Sequence, residues 1–236
     1  MEETGHDQSD RTEGSLQADL YLHELQVRPR LPLRQIRPGG EVLEMQFRRN
    51  GDAVAHLEPN DIVKLTEQAA RATFYTDGLT AEQIKANERI PQMSGQAVAE
   101  AASAEHQHLA VAFEAGQPAG FMIATRHGPN NLELDWLMVH PRRHGSGLAA
   151  SLMTEGIGWL GADQSIWLTV IRHNERAIRF YRKFGFEIDK AAELNRQVPT
   201  WIMRREPAAP RPLDPRLPSW RGAFSPRPKR SMGKRP

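Results

Sequence analysis

The chain has 236 residues and no cysteine. That excludes disulfides, thiolate metal sites and a cysteine nucleophile, and it fits a reducing compartment such as the cytoplasm. No run of about 18 apolar residues occurs, so no segment is expected to span a membrane. The first residues are acidic and lack the apolar core of a secretory leader. Apolar residues make up only 39% of the chain and aromatics 7%. Such thin apolar content favours one medium-sized domain with polar tails over a single core built from the whole chain. Histidine spacing suited to a metal is missing, and no metal is expected. The net charge of +2 gives no bulk electrostatic reason to expect a nucleic-acid partner or a membrane surface.

The charge is unevenly placed. Residues 1–20 carry six acids and one arginine, whereas residues 207–236 carry six Arg, two Lys, one Asp and eight prolines. Both ends have the composition of disordered chain. The expected organisation is an acidic, proline-containing extension over 1–41, a folded domain over 42–206 and a basic Pro/Arg-rich tail over 207–236. The stretch Arg28-Pro29-Arg30-Leu31-Pro32-Leu33-Arg34 reads as extended, a linker or a docking peptide. In the tail, Arg227, Lys229, Arg230, Lys234 and Arg235 could meet phosphates with Trp220 or Phe224 stacking. The competing reading is a solubilising or protein-docking tail.

Within the domain, Leu43, Met45 and Phe47 alternate with polar neighbours, the pattern of a half-buried strand. Asn50-Gly51-Asp52 reads as a turn. Asn60 is placed to cap a helix running to about 74. Thr80-x-x-Gln83 has the form of a capping box opening a short helix with Ile84 inward, which Pro91 should end. A further alanine-rich helix is expected over about 94–105. Strands follow at 109–114, 118–125 and 132–139, then a helix over 147–160, a central strand at 166–171, a helix over 175–184 and strands at 186–188 and 200–204.

The stretch on which the domain turns is Trp136 to Met153. It reads as the end of a buried strand, a basic turn containing Gly145 and Gly147, and the start of a helix. Glycine lets a ligand approach the backbone without a Cβ in the way. A helix starting there presents unpaired N–H groups and the positive end of its dipole, a ready phosphate site, with Arg142, Arg143 and His144 adding charge. An ordinary strand–turn–helix with glycines for tight packing accounts for the loop equally well.

A second motif decides between the two. Asn174-x-x-Ala177-x-x-Phe180-Tyr181-x-x-Phe184-Gly185-Phe186 lies one helix and one strand further on. Together, Val139-x-Pro141…Gly145-x-Gly147-Leu148-Ala149 and this second run resemble the GNAT superfamily of acyl-CoA-dependent N-acyltransferases. The resemblance spans most of 42–206 and is strongest over 132–187. It implies an α/β (α+β) fold with a mixed, mostly antiparallel sheet of six to seven strands, splayed central strands and flanking helices. It also implies acetyl-CoA as the acyl donor.

The family loop, Gln/Arg-x-x-Gly-x-Gly/Ala, fits in two registers. Arg142-x-x-Gly145-x-Gly147 satisfies the letters. His144-x-x-Gly147-x-Ala149 keeps the usual distance from Val139 and turns Leu148 and Leu152 inward, so it is preferred. By resemblance, the main chain of His144, Gly145, Ser146, Gly147, Leu148 and Ala149 holds the pyrophosphate. Leu137, Met138 and Val139 line the pantetheine arm, with Val139 pairing like an added strand. Asn174 either touches the cofactor, caps its helix, or does both.

Tyr181 matches the family's proton donor to the leaving thiolate, and a phenol of pKa about 10 is protonated at neutral pH. Its alternative is plain packing between helix and sheet. Glu133 and Asp135 are the candidate bases. Strand period places Glu133, Asp135, Leu137 and Val139 on one face. His127, His140 and His173 are further options, as is a water chain. The implied reaction is acetyl transfer to a primary amine by direct attack in a ternary complex, a small-molecule amine being favoured. The end of the domain looks most similar to polyamine-type and ribosomal-protein-type members. A protein N-terminus or lysine as acceptor, a non-catalytic acyl-CoA-binding module and a homodimeric assembly stay open.

Overall fold

A computed structural model describes residues 34–36, 42–192 and 194–207. The expectations for residues 1–33 and for the basic tail beyond 207 fall outside the described residues. Eight strands form one mixed sheet in the order β1-β2-β3-β4-β5-β6-β8-β7. They are β1 (Arg34–Ile36), β2 (Val42–Arg49), β3 (Gln107–Glu114), β4 (Gln117–Gly128), β5 (Asn131–Val139), β6 (Ile166–Ile171), β7 (Glu187–Ile188) and β8 (Thr200–Arg205). The helices are α1 (Asn50–Val54), α2 (Asp61–Arg71), α3 (Ala81–Ala101), α4 (Leu148–Leu160) and α5 (Glu175–Arg182), with a 3-10 turn at Pro141–Arg143. All pairings are antiparallel except β5 with β6. The sheet has one strand more than expected because β1 adds an edge to β2, with Arg34 opposite Glu44.

Each face of the sheet carries its own core. On one face Leu152 and Ile157 of α4 pack on Ala110, Met122, Leu134, Leu168 and Met203. On the opposite face Ile62, Leu65 and Val98 from α2 and α3 meet Leu109, Val111, Phe121 and Ile123. The alternation of β3 and β4 between these two sets explains why both strands read as nearly continuous apolar runs. Ala115 and Gly116, at φ +48° and +77°, make the tight β3–β4 hairpin.

Three local expectations are corrected. Asn50 does not begin a plain turn. It takes φ +48° and opens α1, while its side-chain oxygen accepts the Leu109 N–H at 3.0 Å. Asn60 stands at the N-cap of α2 at φ +67°, but its side chain does not cap. Most consequential, Pro91 does not end a helix: α3 is continuous over 21 residues with Pro91 inside it. Proline there costs about 3 kcal/mol locally. Packing against α2 offsets that cost. The Ser94 hydroxyl lies 2.8 Å from that of Thr66 and 2.7 Å from the Pro91 carbonyl, and the Asn87 side chain donates to the Phe74 carbonyl at 3.0 Å.

These contacts run antiparallel along α2, and Asn87 already lies opposite a residue beyond its end. One turn further, Ile84 has no helix to cover it and is 38% exposed rather than inward. The capping box at Thr80 and Gln83 forms as expected, and Gln83 also donates to the Gln197 carbonyl at 3.2 Å.

Candidate active site

β5 and β6 run parallel but share a single register pair, Glu133 with Trp167. Beyond it the strands part. No other strand among the described residues fills the opening, and a cleft of about 1200 Å³ passes through it. One arm lies on the α2/α3 face, against Ala69, Thr73, Phe74, Ile90 and Met93. The other lies on the α4/α5 face, against the 143–150 segment, Asn174 and Arg176. The two arms meet between Leu137–Val139 and Thr169–Ile171.

The glycine turn forms one wall. Gly145 and Gly147 have φ of +80° and +84°, values that favour glycine, and a Cβ built on either meets nothing within 4 Å. Their backbone therefore faces open cleft. Gly147 is the N-cap of α4. The helical ladder starts with the Ser151 N–H on the Gly147 carbonyl at 3.0 Å. The N–H groups of Ala149 and Ala150 precede that ladder, and that of Leu148 donates to the Ser146 hydroxyl oxygen at 3.4 Å. Leu148 and Leu152 are buried at 1% and 0% exposure, the arrangement that the register starting at His144 requires.

On β5, the His140 N–H bonds the Ala119 carbonyl of β4 at 2.9 Å. By alternation, the N–H and C=O of Val139 point into the fork. Gly120 opposite is needed for this approach, since a Cβ there would meet the Met138 carbonyl at 2.9 Å. These features suit a diphosphate and an extended amide arm, and the donor arm is lined by His144, Arg176, Arg179, Arg182 and Lys183.

Two expected contributors to positive charge behave differently. Arg143 binds the Glu114 carboxylate through Nε at 2.8 Å and through a second guanidinium nitrogen, so its charge is compensated and it anchors the turn to β3. His144 meets Arg176, which the sequence analysis did not single out, with Nδ1 2.7 Å from the guanidinium. Burial and that neighbouring cation hold the His144 imidazole below its ordinary range. Its neutral Nδ1 thus accepts from Arg176.

α5 is opened by the Asn174 side chain, which accepts the Ala177 N–H at 3.1 Å. The helix-cap role is therefore real, and Asn174 also lines the cleft. At the other end Gly185, at φ +80°, lets the Phe186 N–H return to the Tyr181 carbonyl at 3.3 Å. Phe186 is fully buried and edge-on to Tyr181 with ring centroids 6.3 Å apart. Tyr181 is held by this closure and reaches the cleft wall. Enclosure by protein raises its phenol to about 12, with no hydrogen bond contributing.

The carboxylates depart from the expected strand period. Across β4 and β5, Ile123 pairs with Trp136 but Ala124 with Leu134, so Asp135 is an extra, bulged residue. The bulge shifts the phase. Leu134, Leu137 and Val139 belong to the core under α4, and Trp136 and Met138 to the core under α2 and α3. Glu133, Asp135, Leu137 and Val139 do not share a face.

Asp135 lines the cleft. It is open to solvent there, yet the protein walls still raise its carboxyl. Glu133 sits behind it at 6% exposure and does not line the cleft. Its Oε2 lies 2.7 Å from Nε2 of His127. Burial, then the Asp135 charge, lift Glu133 to about 7 against the opposing pull of His127. The Arg196 guanidinium acts on both carboxylates and lines the same cleft.

Of the candidates read from the sequence, Asp135, Leu137, Met138, Val139, His144, Gly145, Gly147, Ala149, Asn174 and Tyr181 border one continuous space. Glu133, Ser146 and Leu148 stand just outside it. Ser146 turns its hydroxyl onto the Arg143 carbonyl at 2.7 Å. Arg176, Arg196 and the apolar wall at Phe74, Ile90 and Met93 had not been identified. Helix periodicity marks some of these as exposed but does not say that they converge.

Comparison with known proteins agrees with this geometry. An uncharacterised N-acetyltransferase of Mycobacterium tuberculosis and one of Mycobacterium bovis are each 38% identical over 77 residues, 31% of this chain and 49% of theirs. The chain thus spans about half the length of the curated relatives it matches. The crystal structure of PaiA N-acetyltransferase from Thermoplasma acidophilum, in complex with coenzyme A, superposes with a TM-score of 0.53 at 18% identity. It covers 69% of this chain and 99% of that one, a likeness of fold. The profile of the acetyltransferase (GNAT) family matches residues 69–186. That is half of the chain, and the protein is a member of the GNAT acetyltransferase family.

Proposed function

We propose that the protein transfers an acetyl group from acetyl-CoA to a primary amine, a small molecule rather than a protein. The carrying observation is the cleft that pierces the sheet at the β5/β6 fork, with donor and acceptor arms on opposite faces. Two substrates entering from opposite faces meet without exchanging places, which suits direct attack in a ternary complex. Holding both in reach converts a bimolecular step into an effectively unimolecular one.

Acetyl-CoA supplies the thioester. The N–H groups of Gly147, Ala149 and Ala150 and the Arg176 guanidinium would hold its diphosphate, and Val139 would pair with its amide arm. The amine must lose a proton to attack. Asp135 meets it in the cleft, and the Asp135 carboxylate or a water relays the proton to Glu133 behind, poised near neutrality by its burial. The nitrogen then forms its bond to the carbonyl carbon, the carbon–sulfur bond breaks with its electron pair on sulfur, and the second nitrogen proton passes through water to the departing thiolate.

Tyr181 donates a hydrogen bond to the departing sulfur. A phenol raised to about 12 gives up its proton reluctantly, so it stabilises the thiolate by a hydrogen bond more than it neutralises it. A phenol placed at the cleft wall in this way is not needed by a module that merely binds acyl-CoA.

The test is release of free thiol from acetyl-CoA with small amines and with peptides bearing a free N-terminus or a lysine. Faster turnover with peptides would overturn the small-molecule acceptor. Coenzyme A binding without turnover on any amine would overturn catalysis.

A further inference from the structure

The acceptor arm differs in chemistry from the donor arm. Its walls are apolar: Phe74 closes the end of α2, Ile90 and Met93 face in from α3, and Trp136 comes from β5. Met93 is 51% exposed, the most open of the large apolar side chains among the described residues. An apolar surface of this kind inside a cleft gains by covering with apolar area, at about 25 cal/mol per Å². At the inner end stands Asp135, the single acid among the described residues that line the cleft. Glu133 lies behind it, already engaged by His127. The acceptor arm also holds Arg196, whose charge acts on both carboxylates. Among the described residues, the rest of the cleft lining adds arginines and a lysine but no further acid.

We propose that the acceptor is a primary amine on an apolar body, aliphatic or aromatic, with one positive charge and no second cation. The inference rests on the acetyl-transfer reading and names its substrate class. Asp135 receives the ammonium. The hydrocarbon lies along Phe74, Ile90 and Met93. Arg196 lines the same cleft and its charge reaches Asp135, so it opposes a second ammonium there, and among the described residues no other carboxylate lines the cleft to compensate it. A polyamine or aminoglycoside would have to carry its extra charges past this guanidinium and along apolar walls, losing hydration without pairing.

The decisive comparison uses two acceptors of equal length, n-hexylamine and 1,6-diaminohexane, with 2-phenylethylamine and spermidine alongside. The full chain is assayed at saturating acetyl-CoA, and coenzyme A binding is followed separately by calorimetry. The expected kcat/KM for hexylamine exceeds that for the diamine by about tenfold or more, the size of one modest charge–charge repulsion. Arg196→Glu is expected to narrow or invert that ratio, and Met93→Glu to lower kcat/KM for hexylamine and phenylethylamine through KM. Equal or better use of the diamine or spermidine by the wild type would overturn the proposal while leaving acetyl transfer standing. Coenzyme A binding with no turnover of any amine would overturn the acetyl-transfer reading as well.

Discussion

Glu133 and Trp167 face each other at the point where β5 and β6 stop pairing. Around that pair the sheet is tied shut. His127 binds the Glu133 carboxylate at 2.7 Å and stacks on Trp167 with centroids 6.2 Å apart, and the Trp167 indole donates to the Asn131 side chain at 2.7 Å. The fork opens from this closed end. The same carboxylate therefore lies at the base of the opening and behind the proposed acceptor site. The bulge at Asp135 then carries a second carboxylate into the space that the parting strands create.

The tyrosine offers the sharpest separation of binding from chemistry. Tyr181→Phe keeps the ring contacts to Phe180 and Phe186 and removes only the hydroxyl. Turnover is expected to fall about a hundredfold, with the coenzyme A dissociation constant unchanged within about a factor of two. Calorimetric titration beside a thiol-release assay checks both. Equal rates in the two proteins would exclude Tyr181 from the mechanism.

At the glycine turn, Gly147→Val places a branched side chain at φ +84° and in front of the α4 N–H groups. The backbone strain costs about 1–2 kcal/mol. Coenzyme A affinity is expected to drop at least about tenfold, while a pantetheine thioester lacking the diphosphate binds as before. Equal losses for both ligands would mean that the change disturbs the fold and not the diphosphate site.

The buried carboxylate predicts a pH signature in two readouts. Glu133 is raised to about 7, so kcat/KM should climb with pH through that region as the group ionises. Glu133→Gln should flatten the rise. Stability moves the other way. A carboxyl whose folded value lies above its unfolded one favours the fold least when ionised. The penalty is absent below about 4.5, grows between there and 7, and is complete above. Glu133→Gln should therefore gain stability on the wild type as pH is raised from 5 to 8. Denaturant melts at the two pH values test this; a constant difference would contradict it.

Away from the cleft, Glu155 is buried on the inner face of α4. It accepts from Arg49 at 2.8 and 3.0 Å and lies 3.0 Å from His108. Glu155→Ala strips the carboxylate from two basic side chains, one of them buried. A loss of roughly 2–4 kcal/mol is expected in denaturant unfolding. Coenzyme A affinity should stay unchanged in the folded variant, because Glu155 does not line the cleft.

The glycine turn, the Thr80 capping box, the α5 cap at Asn174 and the bounds of β6 were all legible in the linear chain. Each depends on residues within a turn or two of one another. The two motifs at strand-to-helix junctions were enough to identify the fold family, because their order and spacing reflect a local geometry. The acceptor wall was not legible in that way. Phe74 comes from the turn after α2 and Ile90 and Met93 from α3, and nothing in either segment indicates that the other lies beside it.

What the chain determines by itself is therefore short-range: where helices are capped, where glycine must take a positive φ, and which strand runs are apolar enough to be central. Tertiary contact decided the rest. Packing on α2 kept α3 continuous through Pro91 against its local cost. The pairing of β5 with β4 put the bulge at Asp135 and so reversed the face on which Glu133 lies. The meeting of His144 with Arg176 joined two motifs 32 residues apart. In each case the outcome depends on partners distant in sequence, whose combined burial and hydrogen bonding outweigh a local preference of a few kcal/mol at most.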